Sequence, residues 1–298
     1  MDFLDIIKQF ADLITIADVL WLVGFVLLIS WLLKMLLRPD PLADSVPRRN
    51  KMPLYLPFIT LLIWFGAISL IIPITKTAKK VIPDLHDWQT AFLGNAFLCI
   101  GGIGVSAVVI FLVKAHFPRG LKGFGLNPKT IHKDSFAAVL NLVYIWPIVY
   151  LVTRLTVFYG DLIFRDSFHW PQHQTLESIT SHPQLPLRIL LLITTAAIVP
   201  ALEEMLFRGL FQTMIRSLLE KPWLSIVISS GLFAMVHPHK QHWPALFVLS
   251  MCLGYSYERS GSLFRPILIH SLFNTVSIIT VLCLQQVPDQ QANISCAF

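Results

Sequence analysis

The chain has 298 residues, of which 55% are hydrophobic and only 13% are charged. Soluble domains carry about a quarter charged residues, so this composition, with a mean hydropathy of +0.67, excludes an ordinary soluble protein and predicts a polytopic membrane protein. The formal net charge is +6, but no basic run is interleaved with aromatic residues, so we expect no nucleic-acid partner. The four cysteines lack C-x-x-C spacing and are expected to be packing residues.

The N-terminal region, residues 1–186, is predicted to hold an interfacial helix, four transmembrane helices and a long loop. Residues 1–17 place apolar side chains at three- and four-residue spacing against acidic ones, which is typical of an amphipathic helix in the membrane interface. Apolar stretches long enough to cross a bilayer follow at about 18–37, 54–75, 89–113 and 136–159. The region therefore contributes the first half of an all-α membrane bundle.

Two features of this region could be mistaken for functional sites. Gly101, Gly102 and Gly104 lie inside the third apolar span and follow no strand, so they predict close helix packing rather than a phosphate loop. The connection 160–186 holds several histidines, but they lack the close spacing of metal ligands. We therefore expect this connection to be an ordinary exposed loop.

The C-terminal region supplies the remaining spans and a short tail. Four further apolar stretches are found at 187–220, 223–237, 243–257 and 263–284, and residues 285–298 form the tail. The prediction is an all-α polytopic bundle of about eight transmembrane helices, with a four-helix core at 187–284. Lys and Arg concentrate after the odd-numbered spans, so the positive-inside rule places both termini outside.

Two adjacent carboxylates and an arginine interrupt the first span of this core. An ionised side chain in hydrocarbon is costly, so such groups persist mainly where they have a function. On a helix, Glu204 and Arg208 share a face and can form an ion pair, whereas Glu203 points about 100° away around the axis. Glu203 is left without a nearby cation and is the better candidate for acid/base chemistry. The alternative is a helix end at which all three charges meet water.

Polar residues in two later spans complete a candidate site. His237 follows Phe233 at the end of the second core span, and His270 and Asn274 share one face of the last. A carboxylate and an imidazole can hold and deprotonate a water, while a second imidazole and an amide can donate hydrogen bonds to the resulting oxyanion. Together these groups are typical of peptide hydrolysis.

The spacing of these residues resembles a known family. The motifs are E-E-x-x-x-R at 203–208, F-x-x-x-H at 233–237 and H-x-x-x-N at 270–274. In order, spacing and helical setting they resemble the CPBP intramembrane proteases. That family includes type II CAAX prenyl endopeptidases and bacteriocin-processing, lysostaphin-resistance-like proteins. The resemblance covers residues 187–284.

The resemblance implies an intramembrane glutamate endopeptidase. Glu203 and His237 would activate the water, and His270 and Asn274 would form the oxyanion hole. The supporting residues would be Glu204, Arg208 and Phe233. The implied partners are the lipid bilayer and a peptide or protein substrate, prenylated or leader-containing. The implied location is an integral, multi-pass one, in the plasma (inner) membrane if the source is bacterial.

Other interpretations of these sequence motifs remain open. No cofactor is expected, but Glu203, His237 and His270 could ligate zinc, although H-E-x-x-H is absent. Intramembrane charges also mark ion pathways, so a proton- or ion-coupled transporter is an alternative. A non-catalytic immunity or scaffold protein of the same fold is another.

Overall fold

The computed structural model describes residues 16–37, 40–164 and 174–284. These residues form helices joined by turns, with no strand among them, so the all-α prediction is confirmed. Most of the predicted interfacial helix, residues 1–15, lies outside the described residues, and so do the tail 285–298 and two histidines of the long loop, His169 and His173.

The helices are numbered in chain order. They are α1 (Ile16–Leu36), α2 (Leu56–Ser69), α3 (Ile71–Val81), α4 (Asp87–His116), α5 (Gly120–Phe124), α6 (Ile131–Phe164), α7 (Gln174–Ser181), α8 (Leu185–Leu219), α9 (Pro222–Met235), α10 (Trp243–Ser260) and α11 (Phe264–Leu284). Within the continuous helix α8, π-helical turns occur at Thr194–Ile198 and Met205–Gln212. Such turns are frequent at functional sites.

A helix is found at each of the predicted apolar spans, but not all of them are long enough to cross a membrane. Among the described residues, four helical segments have the necessary length and apolarity: Leu56–Val81, Asp87–His116, Pro128–Phe164 and Leu185–Leu219. The predicted total of about eight is therefore not confirmed. Helix α9 shows the reason, because its 14 residues extend about 21 Å, short of the roughly 30 Å hydrocarbon layer. The long apolar helices indicate an integral membrane protein.

The prediction of an ordinary exposed loop at 160–186 is wrong in its second half. Helix α7 forms there, and Ile179 is buried with 1% exposure. It packs in one cluster with Leu187 and Leu191 of α8 and with Ile278 of α11. The sequence around Ile179 is polar, and one buried apolar residue gives no helical periodicity from which to predict the contact.

Close helix packing is confirmed at one of the three glycines for which it was predicted, all of which lie in α4. A Cβ at Gly102 would lie 2.9 Å from Ile198 Cγ2, so α4 approaches the first π turn of α8 at this point. A Cβ at Gly104 would meet open space. Helix α8 is thus held closely against α4 just before the two glutamates.

The second half of α8 is the centre of the bundle. Every residue from Glu204 to Arg216 is buried, and the neighbouring helices are α2, α4, α9 and α10. Helix α6 lies on another side and packs against α1, α10 and α11. A helix that is buried on all sides must satisfy its polar side chains inside the protein. The charges of α8 are therefore paired with groups on the surrounding helices.

Residues 40–52, which we call the strap, cross one end of the bundle without forming a helix. Its carbonyls at Pro41 and Ser45 accept hydrogen bonds from Arg259 and Arg216, at 2.9 and 3.1 Å. Further contacts join Asp40 Oδ1 to Trp223 Nε1 at 3.0 Å and Arg48 to the Tyr257 ring at 3.6 Å. The strap therefore ties the ends of α8, α9 and α10 together. The Leu42 amide and the Trp223 indole hold the pKa of Asp40 below its usual value.

Candidate active site

Glu204 and Arg208 form a buried ion pair in the middle of α8. Arg208 Nη1 donates to Glu204 Oε1 at 2.8 Å, and both side chains are excluded from solvent. The predicted pairing across one helical turn is confirmed. The alternative, a solvated helix end, is wrong for these two residues because both have 0% exposure.

Arg208 is anchored to two neighbouring helices. Its Nη2 donates to the hydroxyl of Ser250 at 2.7 Å and to the carbonyl of Ser250 at 3.2 Å, both on α10. Its guanidinium also lies over the Phe233 ring of α9, 4.7 Å from the centroid. A carboxylate, two oxygen acceptors and an aromatic face thus compensate for the loss of water around this charge.

His270 lies between the two glutamates. Its Nδ1 is 2.9 Å from Glu204 Oε1, and since the ion-paired carboxylate is an acceptor, Nδ1 carries the hydrogen. Its Nε2 lies 3.8 Å from Glu203 Oε2, which is beyond a direct hydrogen bond and within the span of a bridging water. The side chain of Glu203 is 16% exposed, in contrast to the sealed Glu204. The two adjacent glutamates therefore have different surroundings.

Phe233 connects the histidines. Its buried ring lies 4.9 Å from the His237 ring and 5.9 Å from the His270 ring, centroid to centroid. Its carbonyl accepts a hydrogen bond from His237 Nδ1 at 2.8 Å, just beyond the end of α9. His237 thus keeps Nε2 available, and Trp243 fixes the following turn by donating to the His237 carbonyl at 3.0 Å. The supporting role of Phe233 stays a prediction, and these contacts are the ones through which it would act.

Asn274 faces the first π turn of α8. Its Nδ2 donates to the Thr195 carbonyl at 2.9 Å. Because a carbonyl only accepts, the amide nitrogen and not the amide oxygen must point there, which fixes the orientation of the side chain. The second hydrogen on Nδ2 remains for another acceptor. Asn274 and His270 lie one turn apart on α11, as the sequence predicted.

The predicted site residues are brought together partly by direct contacts and partly through intermediate residues. Glu203, Glu204, Arg208 and His270 form one directly contacting group. His237 reaches this group through Phe233, and Asn274 reaches α8 through Thr195. The arrangement offers one accessible carboxylate, two imidazole Nε2 atoms and one amide donor. These are sufficient for general acid/base work on a bound water.

The same residues bear on the zinc alternative. Among the described residues, no group of three or more His, Cys, Asp or Glu side chains is arranged to hold a metal ion. The donor types suit zinc, because His237 and His270 both bond to protein acceptors through Nδ1 and leave Nε2 available. Of the three residues, Glu203 and His270 approach each other to 3.8 Å.

Sequence reasoning missed a buried row of polar contacts between α8 and α10. We call it the polar ladder. It consists of the pairs Arg208 with Ser250, Gln212 with Gly254, and Arg216 with Glu258, each pair being 42 residues apart. The last pair is a second buried ion pair, with Arg216 Nε 3.0 Å from Glu258 Oε1. A signal was present, since both helices repeat these residues every four positions.

Comparison with known proteins finds a family model and a relative that resemble this region. Residues 185–276 match the family model described as type II CAAX prenyl endopeptidase Rce1-like. A similar protein from Escherichia coli, described as an uncharacterized 24.3 kDa protein, is 28% identical over 135 residues, which cover 44% of this chain and 62% of that protein. The match therefore spans less than two thirds of this relative. No solved structure matches the chain.

The matched region contains α8, α9, α10 and the part of α11 that carries His270 and Asn274. It therefore includes the three motifs and the residues of the candidate active site. The resemblance predicted from the motifs is confirmed for residues 185–276, which are similar to the Rce1-like type II CAAX prenyl endopeptidases.

Proposed function

We propose that this protein is an intramembrane endopeptidase that uses a water activated by Glu203 to hydrolyse a peptide bond of a membrane-associated substrate. The observation that carries the proposal is the difference between the two glutamates. Glu204 is sealed and neutralised by Arg208, whereas Glu203 is partly exposed and faces His270 Nε2 at 3.8 Å. Only Glu203 is free to exchange a proton with a bound water.

In the proposed reaction, Glu203 takes a proton from the water, with His237 Nε2 as the second acceptor. The oxygen attacks the scissile carbonyl carbon, and the carbonyl oxygen becomes an oxyanion. The free hydrogen of Asn274 Nδ2 donates to that oxyanion, and His270 donates from Nε2 in its imidazolium form. Glu203 then delivers its proton to the amide nitrogen, the oxyanion becomes a carbonyl again and the carbon–nitrogen bond breaks. The second proton of the water passes from the new carboxyl group to the amine, and the carboxylate and the ammonium product leave.

The supporting residues explain why the site is rigid. Glu204 fixes the His270 ring through Nδ1, and Arg208 fixes Glu204. Ser250 and Phe233 in turn hold Arg208. A catalytic group that is held in place pays little reorganisation cost in the transition state.

The family match and the apolar helices support a proposal for the substrate and for the membrane setting. The family name points to a peptide that carries a prenyl group near its carboxyl end, and a leader-containing peptide is the alternative. We propose that α1, α10 and α11 are further crossings and that α9, although shorter than the hydrocarbon layer, is the remaining one of the predicted set of about eight. The protein would then be multi-pass and lie in the plasma (inner) membrane if bacterial.

The test is a proteolysis assay with the purified protein in proteoliposomes. A peptide library would be presented with and without a prenyl group, and the products would be identified by mass spectrometry. We expect cleavage by the wild-type protein, no cleavage by Glu203→Gln, and full cleavage by the matched control Glu177→Gln on the exposed face of α7. Cleavage that survives Glu203→Gln would contradict the mechanism. No cleavage by the wild type would favour the transporter or the non-catalytic scaffold.

A further inference from the structure

Pro200 lies inside α8, three residues before Glu203, at the end of the first π turn. In this turn the Val199 N–H donates to the Thr194 carbonyl, five residues back. An α-helix would have directed the same N–H to Thr195, four residues back. The π turn therefore removes the α-helical donor of the Thr195 carbonyl.

The next donor along the π turn is missing as well. Continuing the five-residue pattern, the residue that would donate to the Thr195 carbonyl is residue 200. Proline has no backbone N–H. The Thr195 carbonyl is thus left without either helical donor, and it is this carbonyl that accepts the hydrogen bond from Asn274 Nδ2 at 2.9 Å.

We propose that Pro200 is a positioning residue for Asn274. Because Pro200 has no backbone N–H, the Thr195 carbonyl accepts no hydrogen bond from the backbone of α8. It accepts one from Asn274 Nδ2 instead, and this bond fixes the orientation of the Asn274 amide. Pro200 is buried, and in this proposal it acts through Asn274. The catalytic part of this inference rests on the proposed function, whereas the link between Pro200 and Asn274 does not.

If Pro200 had only a structural role, its replacement would affect stability and activity in a different way. A buried proline can simply bend a helix so that it packs well, and its loss then lowers stability and activity together. Under our proposal, Pro200→Ala lowers activity without lowering stability. The new N–H satisfies the freed carbonyl and removes a helix breaker, so the midpoint of thermal unfolding does not fall. The Asn274 amide loses its anchor, so turnover falls.

The first measurement compares kcat, KM and the thermal midpoint. We expect Pro200→Ala to lower kcat by about 10-fold to 100-fold with little change in KM, a loss up to that of one oxyanion donor. The control is Pro147→Ala, which removes a second buried mid-helix proline whose ring faces Gly24 of α1. It should leave kcat unchanged. Equal losses of stability and kcat in Pro200→Ala would overturn the proposal.

A double-mutant cycle with Asn274→Ala tests the link independently of proteolysis. In the wild-type background Asn274→Ala removes the hydrogen bond to Thr195 and lowers the thermal midpoint. In the Pro200→Ala background it should lower the midpoint by much less, because the carbonyl has already found a donor. Equal shifts in the two backgrounds would reject the proposal, even if the protein cleaved nothing.

A rescue variant distinguishes the effect of the missing N–H donor from the effect of the proline ring. Lactic acid in place of Pro200, introduced by nonsense suppression, replaces the amide by an ester, which has neither an N–H nor a ring. If the absent donor is what matters, the ester restores the kcat lost in Pro200→Ala and the coupling to Asn274. An ester variant that behaves like Pro200→Ala would assign the effect to the ring and overturn the proposal.

Discussion

Glu204 and Arg208 face each other at 2.8 Å inside α8, with side-chain exposures of 0% and 1%. Removing one partner of a buried pair leaves an uncompensated charge and costs about 3–5 kcal/mol. We expect Glu204→Gln to lower the free energy of unfolding by about this amount, and Arg208→Met on that background to restore part of it. Thermal unfolding in detergent would measure both.

The adjacent glutamate provides the matched comparison. Glu203→Gln should abolish activity and keep or raise stability, because it removes a partly desolvated charge that has no arginine partner. Similar stability and activity profiles for the two Glu→Gln variants would contradict this division of roles.

Ser250 should contribute to activity through Arg208. Ser250→Ala deletes the hydroxyl that accepts from Arg208 Nη2 at 2.7 Å, while the Ser250 carbonyl still accepts at 3.2 Å. Losing a hydrogen bond to a charged group costs about 1.5–3 kcal/mol, so we expect reduced stability and lower kcat. Ser229→Ala, a second buried serine that bonds only within its own helix α9, is the control. A larger loss in the control than in Ser250→Ala would contradict this prediction.

Much of the site could be predicted because charged and amide side chains are conspicuous in apolar spans. Glu203, Glu204 and Arg208 were recognisable for this reason, and His270 and Asn274 because four-residue spacing places two side chains on one helical face. Ser250 was not recognisable, since a serine in an apolar span is common and only tertiary packing shows that it holds Arg208. The Thr195 carbonyl is not a side chain, so no residue pattern identifies it directly.

The second ion pair of the polar ladder should matter for stability more than for chemistry. Arg216 and Glu258 have side-chain exposures of 7% and 3%, and Glu258→Gln leaves the buried Arg216 charge with neutral acceptors such as the Ser45 carbonyl. We expect a loss of about 3–5 kcal/mol with the KM of the remaining folded protein unchanged. The exposed pair Lys79–Asp87 offers a control, because Lys79→Met should hardly shift the unfolding midpoint.

Metal dependence can be decided by analysis of the purified protein. With Glu203 as the base, the protein should hold less than one zinc per chain and keep its activity after chelation. Elemental analysis before and after chelator treatment, paired with the proteolysis assay, gives the answer. One tightly bound zinc per chain, lost together with activity, would mean that Glu203, His237 and His270 are ligands.

The predicted orientation is testable with reporter fusions. Lys and Arg cluster after the odd-numbered spans, so a fusion at Gly125 should read as cytoplasmic and one at Thr175 as external. The opposite pattern at both positions would reverse the orientation. Gly125 lies in the turn between α5 and α6, and Thr175 lies in the first turn of α7.

The number of crossings was harder to predict than the positions of the helices. Each apolar run did become helical, because in hydrocarbon the backbone must satisfy its own hydrogen bonds. Helix length is limited by where prolines and caps fall, as at Pro222 and Pro238, which enclose the short helix α9. The polar ladder also makes α10 less apolar than a lipid-facing span, and only the three-dimensional packing shows that these polar residues are buried.

The strap has a consequence for how the molecule folds. Two of its hydrogen bonds join residues that are 171 and 218 positions apart, from Arg216 to Ser45 and from Arg259 to Pro41. The strap is synthesised long before α8 and α10, so these contacts form only after nearly the whole chain has entered the membrane. Contacts between residues so far apart in sequence slow folding. The chain loses conformational entropy when the loop closes, before the contacts can stabilise the folded structure. Docking of the strap is therefore expected late in assembly, and until then Arg216 depends on Glu258 alone.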